Sequence, residues 1–371
     1  MIVAFLILSF IYVSVKVYSF YIWKEENPPL SEDSSFQDLS ILIIARDEEK
    51  QIKSCLTSIV DNSYPSDHYE IILIDDHSTD RTIACAQSLN ISNLRIIELS
   101  HHLSGSDLTA HKKAAQKLGV ELATNGIILQ TDADCFVPRT WIQTMSSYLD
   151  EHRFVTGPIK ITGKGFLSNW QLYDGLLTVL GTFAGIYKKL WYSSNAGNMA
   201  FYKSDFNEFV NKGYSPGASG DDIFFVNFLA SQNSKIAFAN TKSAVVSTAA
   251  EPTASSLFSQ RLRWATKTKA YPNNGIQILM ASVFIFYAIV LLLFLSLPFL
   301  TTQLLYFLVI GVFIKWITDL ILLVPSSDFF NEKYSLIFSP FFSMVHLIYV
   351  VIIGCAGLVM KEYKWKGRQV S

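Results

Sequence analysis

Short apolar runs alternate with helical periods through the middle of the chain, and long unbroken apolar stretches lie towards both ends. The runs at 41–45, 71–74, 94–99 and 127–130 are rich in Ile and Leu. Continuous apolar composition of this kind predicts strands buried on both faces. Between them, segments 48–60, 80–89 and 107–123 space their apolar residues as a helix does. Strand–helix alternation at this interval predicts parallel βαβ units and hence an α/β fold.

The ends read differently. Residues 1–23 carry one charge, Lys16, and are long enough for a membrane span. A basic leader and a small-residue cleavage site are both missing there, so a retained span is expected instead of a signal peptide. Residues 24–38 are polar, include Pro28 and Pro29, and read as a linker to an α/β domain over 39–270. Three apolar segments follow within 276–360, at 276–300, 301–324 and 336–360, the last interrupted by Pro340. The tail 361–371 holds Lys361, Lys364, Lys366 and Arg368. An outside N-terminus puts 39–270 in the cytoplasm, and three further full spans would then put the basic tail outside. That conflicts with the positive-inside rule, so one segment is expected to be re-entrant or interfacial. Segment 166–187, with Trp170, Tyr173, Phe183 and Tyr187, fits either a core helix or one lying in the membrane interface. Lys315 and Asp319 sit one helical turn apart inside an expected span, as a neutralising pair or as an intramembrane site.

Composition agrees with a membrane protein. Of 371 residues, 50% are hydrophobic and only 16% charged, against about 25% charged in soluble domains. A net charge of −1 gives no bulk attraction to nucleic acid. Cys55, Cys85, Cys135 and Cys355 show no metal or disulfide spacing, which suits a reducing compartment. Cys135 reads as filler.

The candidate chemistry is carboxylate-rich. Asp75-Asp76 ends the second strand, and ligands of open α/β sheets bind outside the carboxyl ends of strands. Those carboxylates can accept from a base N–H or from ribose hydroxyls, although a turn and helix cap would also place an Asp or Ser there. Asp132-Ala133-Asp134 offers two hard oxygen ligands for Mg²⁺ or Mn²⁺, with phosphates completing the shell. Asp221-Asp222 opens an apolar helix, where a carboxylate can serve as a general base or merely as a cap. Gln260, Arg263 and Trp264 share helical spacing. Arg can pair with phosphate, and Trp can wall a sugar ring or anchor at the interface. Lys112-Lys113 opens a helix and can reach phosphate or simply face solvent.

Taken together, these motifs resemble those of family 2 inverting glycosyltransferases of the GT-A fold, the group that includes cellulose-, hyaluronan- and ceramide-glycosylating enzymes. The resemblance covers roughly 39–270 and runs through IIARDEEKQIKSCLTSI, DDHSTDRT, KKAAQKLGVELATNGIILQTDADC, SNAGNMAFYKSDF, GDD and QRLRW. Some positions depart from the family pattern: Ile44 stands at a frequent Pro, Asp47 at an Asn, His111 at a Gly, and Asp221-Asp222 at a Glu-Asp pair. The implied fold is a Rossmann-like mixed sheet with N- and C-terminal transmembrane helices.

The resemblance implies a nucleotide-diphosphate donor, a UDP-sugar, bound by Ala45, Asp47, Glu48, Asp75, Asp76, Lys112, Asp132 and Arg263. Asp134, helped by Asp132, would hold the metal. Asp222, or Asp221, would deprotonate the acceptor hydroxyl. Asn198, Gln260 and Trp264 would lie on the acceptor side. The few C-terminal spans favour transfer to a lipid or lipid-linked acceptor over a processive polysaccharide synthase, in a bacterial inner membrane. A silent nucleotide-sugar-binding subunit is the alternative of another class, though it would have no need of Asp134, Asp222 and Arg263 together. Phosphoryl transfer on a lipid would leave QRLRW unexplained.

Overall fold

A computed structural model describes residues 2–25, 35–102, 111–213, 221–266, 274–360, 363–365 and 368–370. Much of the expected linker 24–38, Ser219 before the Asp pair, the lysines at 267 and 269, and most of the basic tail's chemistry lie outside the described residues. In chain order the elements are α1 (Ile2–Glu25), β1 (Leu39–Ala45), α2 (Ile52–Val60), β2 (Tyr69–Asp75), α3 (Thr82–Gln87), β3 (Leu94–Glu98), α4 (His111–Leu122), β4 (Ile127–Asp132), β5 (Cys135–Phe136) and α5 (Trp141–Tyr148). There follow β6 (Phe154–Thr156), β7 (Ile159–Thr162), α6 (Phe166–Tyr187), β8 (Met199–Tyr202), α7 (Lys203–Asn211), α8 (Asp221–Ser231), β9 (Ile236–Phe238), β10 (Val246–Ala249) and α9 (Ala254–Ala265). Then come α10 (Asn274–Leu295), α11 (Thr302–Phe330), α12 (Tyr334–Ile337), α13 (Ser339–Val359) and two short strands, β11 (Tyr363–Trp365) and β12 (Arg368–Val370).

These elements form two units that interleave along the sequence. A sheet unit takes residues 28–160, 192–249 and 364–371; a helical unit takes 1–27, 161–191 and 250–363.

The sheet unit is built on seven strands in the order β3-β2-β1-β4-β8-β6-β9. β1 runs parallel to β2 and to β4, with Ala45 opposite Asp75 and Ile44 opposite Asp132. β8 runs antiparallel to β4 and β6, so the sheet is mixed. A small second sheet pairs β5, β10 and β7. Side chains alternate across a strand. Ile41, Ile43, Ile71 and Leu73 therefore enter one core with α2 and α5, while Leu42, Ile72, Ile74 and Ile128 enter the other with α4, α7 and α8. Both faces are covered, which accounts for the unbroken apolar strands. Gly119 lets α4 cross close to the sheet, since a Cβ there would fall 2.3 Å from Leu42 Cδ1.

The helical unit contains α1, α6 and α9 to α13. Four of its helices, α1, α10, α11 and α13, are long and apolar enough to cross a membrane. The three C-terminal ones are continuous over 22, 29 and 21 residues, so none needs a re-entrant form on grounds of length. Pro340 sits at the start of α13, where its missing N–H costs nothing. α6 packs against α1 and α11 and buries Trp170, Tyr173, Leu176, Leu180 and Phe183 inside the unit. Lys315 pairs with Asp319 in a fully buried cluster. The Asp319 carboxylate also accepts from the hydroxyls of Tyr173 (2.6 Å), Ser343 (2.8 Å) and Tyr12 (3.3 Å).

Candidate active site

The strand order locates a crevice. From β1 the chain steps outward through β2 and β3, then returns to add β4 on the opposite side of β1. Where the direction of winding reverses, the loops leaving adjacent strands part and open a binding cleft. The ends of β1, β2 and β4 border it, and with them Ala45, Asp75 and Asp132.

The two loops on the β1–β2 side are fastened to each other. Asp47, in the left-handed region at φ 51, donates its N–H to Ser78 Oγ (3.0 Å) and accepts from the Thr79 N–H at Oδ1 (2.8 Å). The Glu48 N–H donates to Thr82 Oγ1 (2.7 Å) and the Glu49 N–H to Asp80 Oδ2 (3.0 Å). Burial pushes the Asp80 carboxyl up, but the Thr82 hydroxyl and the N–H donors around it outweigh that and hold it below the usual range. Asp47 and Glu48 thus shape the cleft wall largely through backbone bonds. Ala45 contributes its carbonyl, which accepts from the Asp76 N–H (2.8 Å).

Asp75 is 3% exposed; its Oδ2 accepts from the Ser78 N–H (3.0 Å), while no hydrogen-bond donor among the described residues reaches its Oδ1. A buried carboxylate oxygen without a donor is costly and calls for one. Asp76 is fully buried, 3.1 Å from His77 Nδ1, and its carbonyl accepts from Arg46 Nη1 (2.9 Å). The orphan acceptor of the pair therefore belongs to Asp75.

Beyond β4 the chain alternates. Ala133 and Cys135 turn into the core, while Asp132 and Asp134 stay partly exposed on the other side. Lys112 Nζ, at the start of α4, lies 3.1 Å from Asp132 Oδ1. Among the described residues no group of three or more His, Cys, Asp or Glu gathers round a metal position. Two hard carboxylates, with a diphosphate and waters for the remaining positions, nevertheless fit Mg²⁺ or Mn²⁺. Burial, reinforced by the Asp134 and Asp132 carboxylates, pushes the Cys135 and Cys55 thiols up. That makes neither a nucleophile, since the thiolate is the reactive form.

The turn 195–198 joins the β4 carboxylates to α8. Asp222 Oδ2 accepts from the Ala196 N–H (3.1 Å), and its Oδ1 from the Ile223 N–H (2.9 Å). One residue on, a Cβ on Gly197 would stand 3.2 Å from both Asp132 Oδ2 and Cys135 Sγ, and the Gly197 carbonyl accepts from Thr131 Oγ1 (2.9 Å). Asp222 therefore binds Ala196, and Asp132 lies close beside the next residue of the same turn. Gly197 escaped the sequence reading because it has no side-chain chemistry; its role is to let the backbone pass against Asp132. Asp221 begins α8, and its side chain lies outside the described residues.

Asn198 is placed apart from any open surface. It is fully buried, accepts from Trp141 Nε1 (2.9 Å), and donates to the carbonyls of Pro158 (2.9 Å) and Ala244 (2.8 Å). This is a fold-holding hub, with no polar atom left for an acceptor.

The QRLRW run belongs to α9 of the helical unit. The helix is capped by a reciprocal Thr253–Ser256 box. Gln260 Nε2 donates to Glu251 Oε1 (2.8 Å). Arg263 is half-buried, and no acceptor among the described residues reaches its Nε. Trp264 is exposed.

Residues 40–210 match the family described as Glycosyl transferase family 2. Over those residues the chain carries a domain that matches this family, and the sheet has the GT-A fold. Its structure is similar to the mannosyltransferase PcManGT from Pyrobaculum calidifontis in complex with GDP-Man and Mn²⁺. The TM-score is 0.61 at 17% identity, over 94% of this chain and 98% of that one. At that identity the likeness shows the fold. In sequence the chain is similar to the poly(ribitol-phosphate) β-N-acetylglucosaminyltransferase TarS of Staphylococcus aureus, 23% identical over 125 residues, 33% of this chain and 21% of that protein. It is also similar to the β-monoglucosyldiacylglycerol synthase of Synechocystis, 27% identical over 136 residues, 35% of this chain and 27% of that protein. The chain thus spans between 21% and 27% of the length of these two curated relatives.

Proposed function

We propose that the protein is a glycosyltransferase that moves a sugar from a nucleotide-diphosphate sugar to a hydroxyl of a lipid or lipid-linked acceptor, inverting the anomeric centre in one displacement. The observation that carries this reading is the turn 195–198. It brings Asp222, a carboxylate at a helix N-terminus, next to the Asp132-Ala133-Asp134 strand end at the sheet's switch point.

Asp75 Oδ1 would accept from a base N–H, uridine being the base the resemblance implies. The fastened loops around Asp47, Glu48 and Asp76 would hold that nucleoside, with the Ala45 carbonyl fixing the loop beneath it. Lys112 would turn from Asp132 towards the diphosphate. Asp134 and Asp132 would hold Mg²⁺ or Mn²⁺, which when bound neutralises charge on the leaving diphosphate; the fold relative's complex with GDP-Man and Mn²⁺ supports this choice. Asp222 would take the proton from the acceptor hydroxyl as it attacks the anomeric carbon from the opposite face, the pair bond to the diphosphate breaking as the new C–O bond forms. No covalent sugar–enzyme step is needed, so positioning and charge stabilisation supply the rate. The roles of Arg263 on the diphosphate, and of Gln260 and Trp264 on the acceptor side, rest on the QRLRW resemblance.

Four apolar helices support an acceptor presented by the membrane, as does the diacylglycerol-glycosylating relative from Synechocystis. The proposed location is a bacterial inner membrane with the sheet unit in the cytoplasm. The test is nucleoside diphosphate release by the protein in its own membranes, across a panel of nucleotide sugars with Mg²⁺ or Mn²⁺. Metal-dependent release from one donor, abolished by Asp222→Asn, is expected. Release unaffected by that substitution would remove the base assignment, and absence of release from every donor would favour a silent binding subunit.

A further inference from the structure

The middle of the QRLRW run makes a contact that neither sugar chemistry nor membrane anchoring explains. Arg261 is 7% exposed on α9, and its Nη2 lies 2.9 Å from Asp174 Oδ2 on α6, a buried ion pair in which neither Nη2 nor Nε is aligned for a hydrogen bond among the described residues. The other oxygen of Asp174 lies 3.2 Å from His346 Nε2 on α13. One buried carboxylate therefore ties three helices of the unit together. The Arg261 guanidinium also lies over the indole of Trp264, with Cζ 4.2 Å from the ring centroid, close enough for a cation–π contact. Trp264 remains 39% exposed, so the indole keeps an open face while the arginine backs it.

Other contacts fix α9 itself. Gln171 of α6 donates from Nε2 to the Glu251 carbonyl (3.0 Å) and accepts the Glu251 N–H at Oε1 (2.9 Å). Glu251 in turn takes Gln260. At the far end, Gly357 of α13 meets Ala265 so closely that a Cβ on the glycine would stand 2.8 Å from the Ala265 Cβ. The helix is held at both ends, and the Asp174–Arg261 pair acts where the held helix carries the exposed indole of Trp264.

We propose that Asp174 and Arg261 are positioning residues that fix the indole of Trp264 for the acceptor. This rests on the reading of Trp264 as the acceptor wall. An arginine suits the task because its guanidinium is planar. Its charge can stay beside a carboxylate while its flat face covers a ring, which the point charge of a lysine cannot do. Asp174 keeps the guanidinium from swinging away, and His346 keeps Asp174 in place.

The test uses the full-length protein in detergent, labelled with 5-fluorotryptophan, with the Trp264 ¹⁹F resonance assigned by its loss in W264F. R261K, R261M and D174N should move that resonance. R261K retains a positive charge for Asp174 and should unfold at the wild-type temperature, yet lose the flat contact. Transfer is then read as radiolabel moved from the donor into solvent-extractable lipid, in vesicles of total lipid from the source cells. R261K and W264F should lower transfer about 10–100-fold at limiting lipid, with donor KM unchanged and with recovery as lipid saturates. An unmoved Trp264 resonance in all three variants would overturn the brace and leave the acceptor wall standing. A moved resonance with full transfer by W264F would overturn the acceptor wall, and the positioning role with it. Equal losses at limiting and saturating lipid, or a raised donor KM, would mark a general structural role and would also overturn the proposal.

Discussion

At the scale of single residues, the arrangement separates binding from chemistry. Asp222 accepts from the Ala196 N–H at one oxygen and from the Ile223 N–H at the other, so an amide that keeps its oxygen towards Ala196 preserves the contact to the turn, gives up the bond to Ile223 and loses the capacity to accept a proton. Asp222→Asn is expected to cut transfer by about 10²–10⁴-fold while the nucleotide still raises the unfolding temperature, as any ligand of the native state must. Loss of that thermal protection would move Asp222 into donor binding. Lys112 makes a second, opposite expectation. It neutralises Asp132 at 3.1 Å, in a pair whose side chains are both about a quarter exposed, so it competes with a cation for that carboxylate. Lys112→Met should tighten binding of Mn²⁺ alone by about 0.2–1 kcal/mol, the range for exposed pairs, and weaken binding of the donor. A Mn²⁺ titration followed by electron paramagnetic resonance, with and without nucleotide, reads both effects.

At the scale of elements, the turn between α6 and β8 is where shape matters most. Gly197→Ala would bring a Cβ to 3.1 Å from Ile159 Cδ1 and 3.2 Å from Asp132 Oδ2. Overpacking of this kind costs about 1–3 kcal/mol, and here the strain falls on a proposed metal ligand. Transfer should drop more than the modest fall in unfolding temperature accounts for. Asn198→Ala, next along, should do the reverse. It strands the buried Trp141 N–H and the carbonyls of Pro158 and Ala244, and each such buried group costs about 1–3 kcal/mol. A large drop in unfolding temperature is expected, whereas an acceptor contact would alter transfer at unchanged stability. The two neighbours also show what a sequence can and cannot tell. β1, β2 and β4 were legible because each is buried and reads as an apolar run, whereas β3 at the sheet edge carries Arg95 and Glu98 and is only partly buried; the carboxylates stood out because charge directly after an apolar run has few structural reasons to be there. β5, β6 and β8 to β10 are two to four residues long, too short for any period to show. Asn198 looked like chemistry because its polarity is visible in the sequence while the three partners that consume it are distant in the chain. Gly197 looked like nothing, because its contribution is the absence of a side chain.

At the scale of the whole molecule, four helices are long and apolar enough to cross a membrane, and the buried charges of the helical unit lie among them. Lys315 and Asp319 are both fully buried on α11. Their neutralisation was foreseeable from the spacing of four, but the partners that complete it come from three other helices. Tyr12 on α1, Tyr173 on α6 and Ser343 on α13 all donate to the Asp319 carboxylate. With so many donors, the aspartate is the centre of the cluster and the lysine is its counter-charge. Removing the counter-charge alone, as in Lys315→Met, leaves a carboxylate in an apolar bundle and should cost about 3–5 kcal/mol. Removing both charges, as in Lys315→Met with Asp319→Asn, keeps an acceptor oxygen for the Tyr173 and Ser343 hydroxyls and turns an N–H towards the Tyr12 oxygen without an unpaired ion, and a buried pair exchanged for neutral groups of similar volume is often tolerated. The double variant should therefore be more stable than the single one, measured by unfolding in detergent or by the amount retained in membranes. Transfer by the double variant should remain near the wild-type rate, because no step of the reaction uses this pair. A double variant that folds as well as the wild type yet transfers nothing would make the cluster a functional intramembrane site, the other reading that its position allowed.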